Sequence, residues 1–178
     1  MADRLIPRAW WMRTAFVLIA GVILFAALLP LGAGAGRMPG PDILTALAFA
    51  WVLRRPDYVP VWILAAVLFV ADIVTMRPPG LWAALTVLGI ETARSRTGTW
   101  ADMPFLLELT VVGLILTAVT VANAALSAIF FVDQPPLHHT VIRLFATMCF
   151  YPLVVLITDS VFRIKRASDT AQGRRVPA

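Results

Sequence analysis

The chain has 178 residues, 60% of them apolar and 14% charged, where a soluble domain carries about 45 to 50% and about 25%. A water-soluble fold of this size cannot hide that much apolar surface, and the mean hydropathy of +0.85 points the same way. The net charge of +5 comes from basic residues in short segments flanking apolar runs, a pattern that orients a chain in a membrane and gives no reason to expect nucleic acid as a partner.

The first apolar run, residues 14–31, follows Arg4, Arg8 and Arg13 and the interfacial pair Trp10 and Trp11. It reads as a transmembrane helix. A cleaved signal peptide is the rival, because Ala33-Gly34-Ala35 has the small residues of a cleavage site, but the run exceeds the usual 7 to 15 apolar residues. The second run, 39–53, opens on Pro39-Gly40-Pro41-Asp42 and closes on Arg54-Arg55-Pro56, clear start and stop signals for a short helix. The third, 59–76, is long enough to cross a bilayer, and the fourth, 80–93, is again short and begins after Pro78-Pro79-Gly80. The fifth, 104–132, exceeds the hydrocarbon thickness and must tilt or extend beyond it. The sixth, 138–162, carries Pro152, where one helical hydrogen bond is lost and a kink is expected.

The expected fold is therefore an all-α integral membrane protein, a compact bundle of six transmembrane helices over residues 1–162. The basic tail, 163–178, lacks the apolar residues to pack and is expected to be flexible. Sorted onto alternating sides of this six-span arrangement, twelve of the fifteen Lys and Arg residues fall on one face, and only Arg37, Arg77 and Arg143 on the other. The positive-inside rule then places both termini in the cytoplasm.

Charged side chains at membrane depth cost ~2.5 to 3.5 kcal/mol each at the centre and must be paired, interfacial or functional. Asp42, Asp72 and Arg143 are expected to form an outer polar cluster in which Arg143 neutralises Asp72 or Asp42. Asp42 also suits the first turn of a helix, whereas Asp72, in the middle of VLFVADIVTM, is expected to have no capping role. Glu91, Glu108 and Asp159 lie toward the inner side, where Arg54, Arg55, Arg94 and Arg163 are expected to meet them in solvated interfacial pairs. The single cysteine, Cys149, reads as a buried thiol packed like a small hydrophobe.

His138 and His139 are adjacent in sequence and so point to different sides of a helix, a poor arrangement for a metal. There is no HExxH, GxSxG, Walker-type glycine loop or cysteine pair. Neither catalysis nor a cofactor is expected. Small residues, Ala65, Ala66 and Ala71 in the third run and Gly113, Ala118, Ala122 and Ala125 in the fifth, permit close helix packing.

The segment PDILTALAFAWVLRRPDYVPVWILAAVLFVADIVTMRPPGLWAALTVL resembles the rod-shape-determining MreD family. The shared pattern is Pro41-Asp42 opening a short helix, the Arg55-Pro56 turn, the intramembrane Asp72 and the Pro79-Gly80 turn. The chain departs from that family in having Ala65-Ala66 and no glycine between Gly40 and Gly80. The resemblance implies a non-enzymatic membrane subunit of the cell-elongation machinery. It would bind MreC and, through it, assist MreB, RodA and a penicillin-binding transpeptidase in lateral peptidoglycan synthesis and maintenance of cell shape, with membrane lipids around it.

Two other functions compete. A vitamin-transporter subunit of the energy-coupling-factor S-component type has a similar six-helix layout, but its Ala-x-x-x-Ala docking pattern is missing from the first helix. An intramembrane enzyme would need a convergent polar site within one leaflet.

Overall fold

The computed structural model describes residues 5–29, 40–96, 104–131 and 136–162. The possible cleavage site at 33–35, the 97–103 segment and the basic tail lie outside the described residues. Within them the chain is all-helical, and six α-helices follow the six apolar runs. These are α1 (Leu5–Leu28), α2 (Ile43–Arg54), α3 (Val61–Val74), α4 (Leu81–Arg94), α5 (Phe105–Ile129) and α6 (Leu137–Phe162), with one 3-10 turn, Pro56–Tyr58, between α2 and α3.

The helix starts follow local chemistry. The Asp42 carboxylate accepts the Thr45 amide at 3.1 Å and caps α2, one of the strongest N-cap arrangements for free helical N–H groups. Pro60 and Pro104 occupy the N-cap positions of α3 and α5 in extended conformation, so neither proline sits where a helical amide is needed. Gly80 precedes α4 with φ 87°, a left-handed conformation that costs a residue with a Cβ roughly 1 to 2 kcal/mol. At the end of α3, Met76 takes the left-handed position usual for glycine. Its amide donates to the Ile73 carbonyl and the Arg77 amide to the Asp72 carbonyl, the two bonds of a Schellman cap. α6 runs unbroken through Pro152.

Lengths bear out the six-span expectation only in part. Three helices, α1, α5 and α6, contain apolar stretches long enough to cross a membrane: Ala9–Leu28, Phe105–Ile129 and Leu137–Val161, the mark of a membrane protein. By contrast α2 has 12 residues, and α3 and α4 have 14 each. At 1.5 Å per residue they extend ~18 to 21 Å, short of the ~30 Å hydrocarbon core. The sequence runs looked longer because turn residues such as Val59, Thr75 and Met76 are apolar or neutral yet lie outside the helices.

The short α2 is the centre of the bundle. Every residue from Leu44 to Val52 is buried, and α1, α4 and α6 pack against it, while α3 joins α1 to α4 and α5 joins α4 to α6. The surrounding helices form an arc in the order α1, α3, α4, α5, α6, and each offers α2 and its neighbours one stripe. On α1 the stripe is Met12, Phe16, Ala20 and Leu24; on α6 it is Thr147, Tyr151, Val154, Val155 and Thr158. These are the spacings of three and four residues that line one side of a helix. Phe16 lies against Trp51 with ring centroids 5.5 Å apart. The opposite sides, with Leu18, Val22 and Phe25 on α1 and Phe145, Leu153 and Leu156 on α6, are exposed and apolar, as lipid-facing surfaces are.

Close packing around α5 depends on two glycines. A Cβ on Gly113 would stand 2.2 Å from the Met148 Cε, and one on Gly89 2.8 Å from the Ile115 Cγ2 and 3.0 Å from the Val119 Cγ2. Among the small residues expected to allow close approach, Gly113 and Ala71 are buried, whereas Ala66, Ala118 and Ala125 are exposed. Cys149 is also exposed, not buried as expected, because the next residues, Phe150 and Tyr151, split between the outer and inner sides of α6 and place Cys149 outside.

The two glycines should respond differently to alanine. The obstacle at Gly113 is the flexible end of a methionine, which can swing away, whereas Gly89 faces two β-branched side chains with restricted rotamers. Gly89→Ala should lower stability in detergent by ~1 to 3 kcal/mol and Gly113→Ala by clearly less, as read by thermal unfolding. The reverse order would contradict this packing.

Candidate functional site

Polar side chains gather at the two ends of the bundle, and α2 reaches both. Helices alternate in direction, so the starts of α2, α4 and α6 meet the end of α3 at one end. The ends of α2, α4 and α6 meet the starts of α3 and α5 at the other, together with the first turns of α1.

At the first end, Arg143 on α6 donates from Nη2 to the Asp42 Oδ2 at 2.7 Å, and Thr147, one turn further along, accepts the Asp42 amide at 2.8 Å. Arg77, in the turn after α3, brings its Nη1 to 3.7 Å from the same Oδ2 and lies over the Trp82 ring at 5.3 Å. Of the three residues expected to cluster, Asp42 and Arg143 are thus joined directly. Asp42 both caps and pairs, so the two roles weighed for it from sequence coexist.

Asp72 acts otherwise. It is fully buried, and its Oδ2 accepts the amides of Gly80 and Ala83, each at 3.0 Å. The carboxylate caps not its own helix but the start of α4, where it meets unsatisfied N–H groups and the positive end of the helix dipole. Since its carbonyl also accepts the Arg77 amide, Asp72 fixes the whole turn between α3 and α4. Among the described residues its expected partner Arg143 is not one of the groups it binds, and the expectation that Asp72 has no capping role is corrected: it caps α4.

The second end carries the more buried cluster. Arg54 closes α2 and donates from Nε to the Asp159 Oδ1 at 2.9 Å and from Nη1 to the Glu108 Oε1 at 3.0 Å. The Tyr151 hydroxyl donates to the same Glu108 oxygen at 2.5 Å. The Arg54 and Glu108 side chains are each only 6% exposed, while Asp159 is 40% exposed. The expected solvated, interfacial pairs are therefore corrected here: Arg54 and Glu108 form a desolvated ion pair tying α2, α5 and α6 together. Removing one partner of such a pair typically costs ~3 to 5 kcal/mol, because the other charge is left buried. Glu91 does pair at the rim as expected, with Arg94 at 3.3 Å. Arg94 also donates to the Val59 carbonyl, and Arg13 of α1 donates to the Asp57 carbonyl at 3.3 Å.

Tyr151 was not singled out in the sequence, nor was the convergence of Arg54, Glu108 and Asp159 on one point. The available signal was spacing on α6, since Thr147, Tyr151 and Thr158 share a side with Asp159 one position further along. The two histidine rings do stand together, centroids 4.2 Å apart, but among the described residues no group of three His, Cys, Asp or Glu side chains could hold a metal ion.

A double-mutant cycle separates the two aspartates. Asp42→Asn and Arg143→Gln should show a coupling of ~1 kcal/mol, because they share a direct charge-assisted bond. Asp72→Asn and Arg143→Gln should add within ~0.5 kcal/mol. Strong coupling of Asp72 with Arg143 would contradict the geometry.

Compared with protein-family models, curated proteins and solved structures, the chain matches none.

Proposed function

We propose that the chain is a non-enzymatic subunit of the bacterial cell-elongation complex, acting in the inner membrane as a helical docking body for MreC. Through MreC it would support lateral peptidoglycan synthesis by RodA and its penicillin-binding transpeptidase, in step with MreB. In this reading all six helices pass between the two faces, α2, α3 and α4 through a locally thinned or protein-covered layer, and both termini lie in the cytoplasm.

The observation that supports the reading is where the polar groups go. Arg54, Glu108, Asp159 and Tyr151 bind one another across three helices, Arg143 binds Asp42, and Asp72 caps α4. These are bonds between helices of the same chain, directed into the bundle. What the chain offers outward is apolar helix surface, including Trp62, Phe69, Val70 and Ile73 on α3 and Leu106, Leu114 and Val121 on α5. Such surfaces recognise other membrane helices by shape and close contact. The basic residues support this orientation: Arg13, Arg54, Arg55, Arg94 and Arg96 belong to the end of the bundle where α1 begins and α6 finishes, the positive-inside pattern for a chain with both ends in the cytoplasm.

The test is copurification from native membranes, with the chain tagged and gently solubilised, followed by mass spectrometry. Recovery of MreC together with the lateral wall-synthesis enzymes is expected. Recovery of a transport ATPase pair with its coupling subunit, and none of the wall machinery, would contradict the proposal and favour the vitamin-transporter alternative.

A further inference from the structure

At the end of the bundle where α2 begins, two guanidinium groups converge on a single carboxylate oxygen. Asp42 Oδ2 lies 2.7 Å from Arg143 and 3.7 Å from Arg77, and its other oxygen already accepts the Thr45 amide. The neighbouring carboxylate, Asp72, gives its Oδ2 to the start of α4. Among the described residues neither arginine is within ion-pair distance of Asp72, and the two guanidiniums share one Asp42 oxygen. Their remaining N–H donors are costly to leave unmet this close to an apolar bundle unless water or an anion completes the site.

Both arginines are accessible to such an anion. Among the described residues Arg77 is held by the face of the Trp82 ring and by a 3.7 Å charge contact, not by hydrogen bonds through its N–H edges. Its side chain is 20% exposed and that of Arg143 35%, so neither is sealed inside the bundle. Guanidinium edges match the paired oxygens of a phosphate in a bidentate manner. Their position selects the source. Arg77 stands at the turn of a hairpin whose helices extend only ~21 Å, beside Trp82, a residue type that favours headgroup depth, and Arg143 reaches the same Asp42 oxygen from α6. A bilayer adjusting to so short a surface brings its headgroups down toward that turn.

We propose that Arg77 and Arg143 form a phosphate-binding site, filled by the headgroup phosphate of an anionic phospholipid. The site requires that the chain reside in a bilayer and is independent of which protein partner it docks.

The experiment uses the full chain in nanodiscs of phosphatidylcholine doped with phosphatidylglycerol, with retained lipid counted by native mass spectrometry after gentle detergent exchange. The unaltered protein should hold phosphatidylglycerol in preference to phosphatidylcholine. Arg77→Gln should weaken that retention by roughly tenfold, the value of one charged hydrogen-bonded contact, with Arg77→Lys retaining part of it. Arg96→Gln, at the opposite end of the bundle, should leave it unchanged. Arg77 is chosen because the Arg143–Asp42 bond survives its loss, and thermal unfolding of each variant verifies the fold. Equal retention by the unaltered protein, Arg77→Gln and Arg96→Gln would overturn the site. Binding of inorganic phosphate in neutral nanodiscs, without any preference for phosphatidylglycerol, would overturn the lipid as its occupant.

Discussion

The structure depends on how a twelve-residue helix with a charge at each end is held entirely inside the bundle. α2 is joined to α6 at both ends, by Asp42 to Arg143 and by Arg54 to Asp159, so the two helices run parallel and in fixed register. In lipid an apolar side chain gains little by leaving one hydrocarbon surface for another, and helices associate through packing and polar bonds instead. The two end pairs, reinforced by Glu108 and Tyr151 from either side, therefore carry a share of the specificity that a hydrophobic core would carry in water. Between them the contacts of Phe16, Phe49, Trp51 and Leu64 fill the interior.

The same constraint sets the shape of the molecule. From Asp42 to Arg54 the rise is ~18 Å, so the polar layers at the two ends are closer together than the faces of a typical hydrocarbon core. The long helices α5 and α6, with 25 and 26 residues, run past these layers, while α3 and α4 stop near them. Surrounding lipid must thin on the α3–α4 side, or another helix must cover it. What such a shape presents to its surroundings is mainly apolar lateral surface.

Much of the helix layout was legible in the sequence because punctuation residues act locally. Asp42, Pro60, Gly80 and Pro104 mark their helices within one or two residues, and depth alone brought Arg143 to Asp42 or Asp72 without choosing between them. Three things were not legible. The central position of α2 depends on which helices surround it, and an apolar run reads the same whether it faces lipid or protein. For that reason Arg54 and Glu108 looked interfacial and Cys149 looked buried. Asp72 looked like a partner for Arg143 because its actual partners, Gly80 and Ala83, come within reach only when α4 folds back on α3. Helix length was overestimated wherever apolar residues such as Val59 and Met76 continued a run into a turn.

The most direct test of the locked central helix is hydrogen–deuterium exchange in nanodiscs, comparing the unaltered chain with Arg54→Gln. With both of its ends bonded, α2 should be the slowest-exchanging helix in the unaltered protein. In Arg54→Gln, exchange should accelerate in α2, at the start of α5 and at the end of α6 together, and the turn between α3 and α4 around Asp72 should keep its protection. An α2 that exchanges no more slowly than α1, or an Arg54→Gln profile indistinguishable from that of the unaltered protein, would contradict a locked central helix.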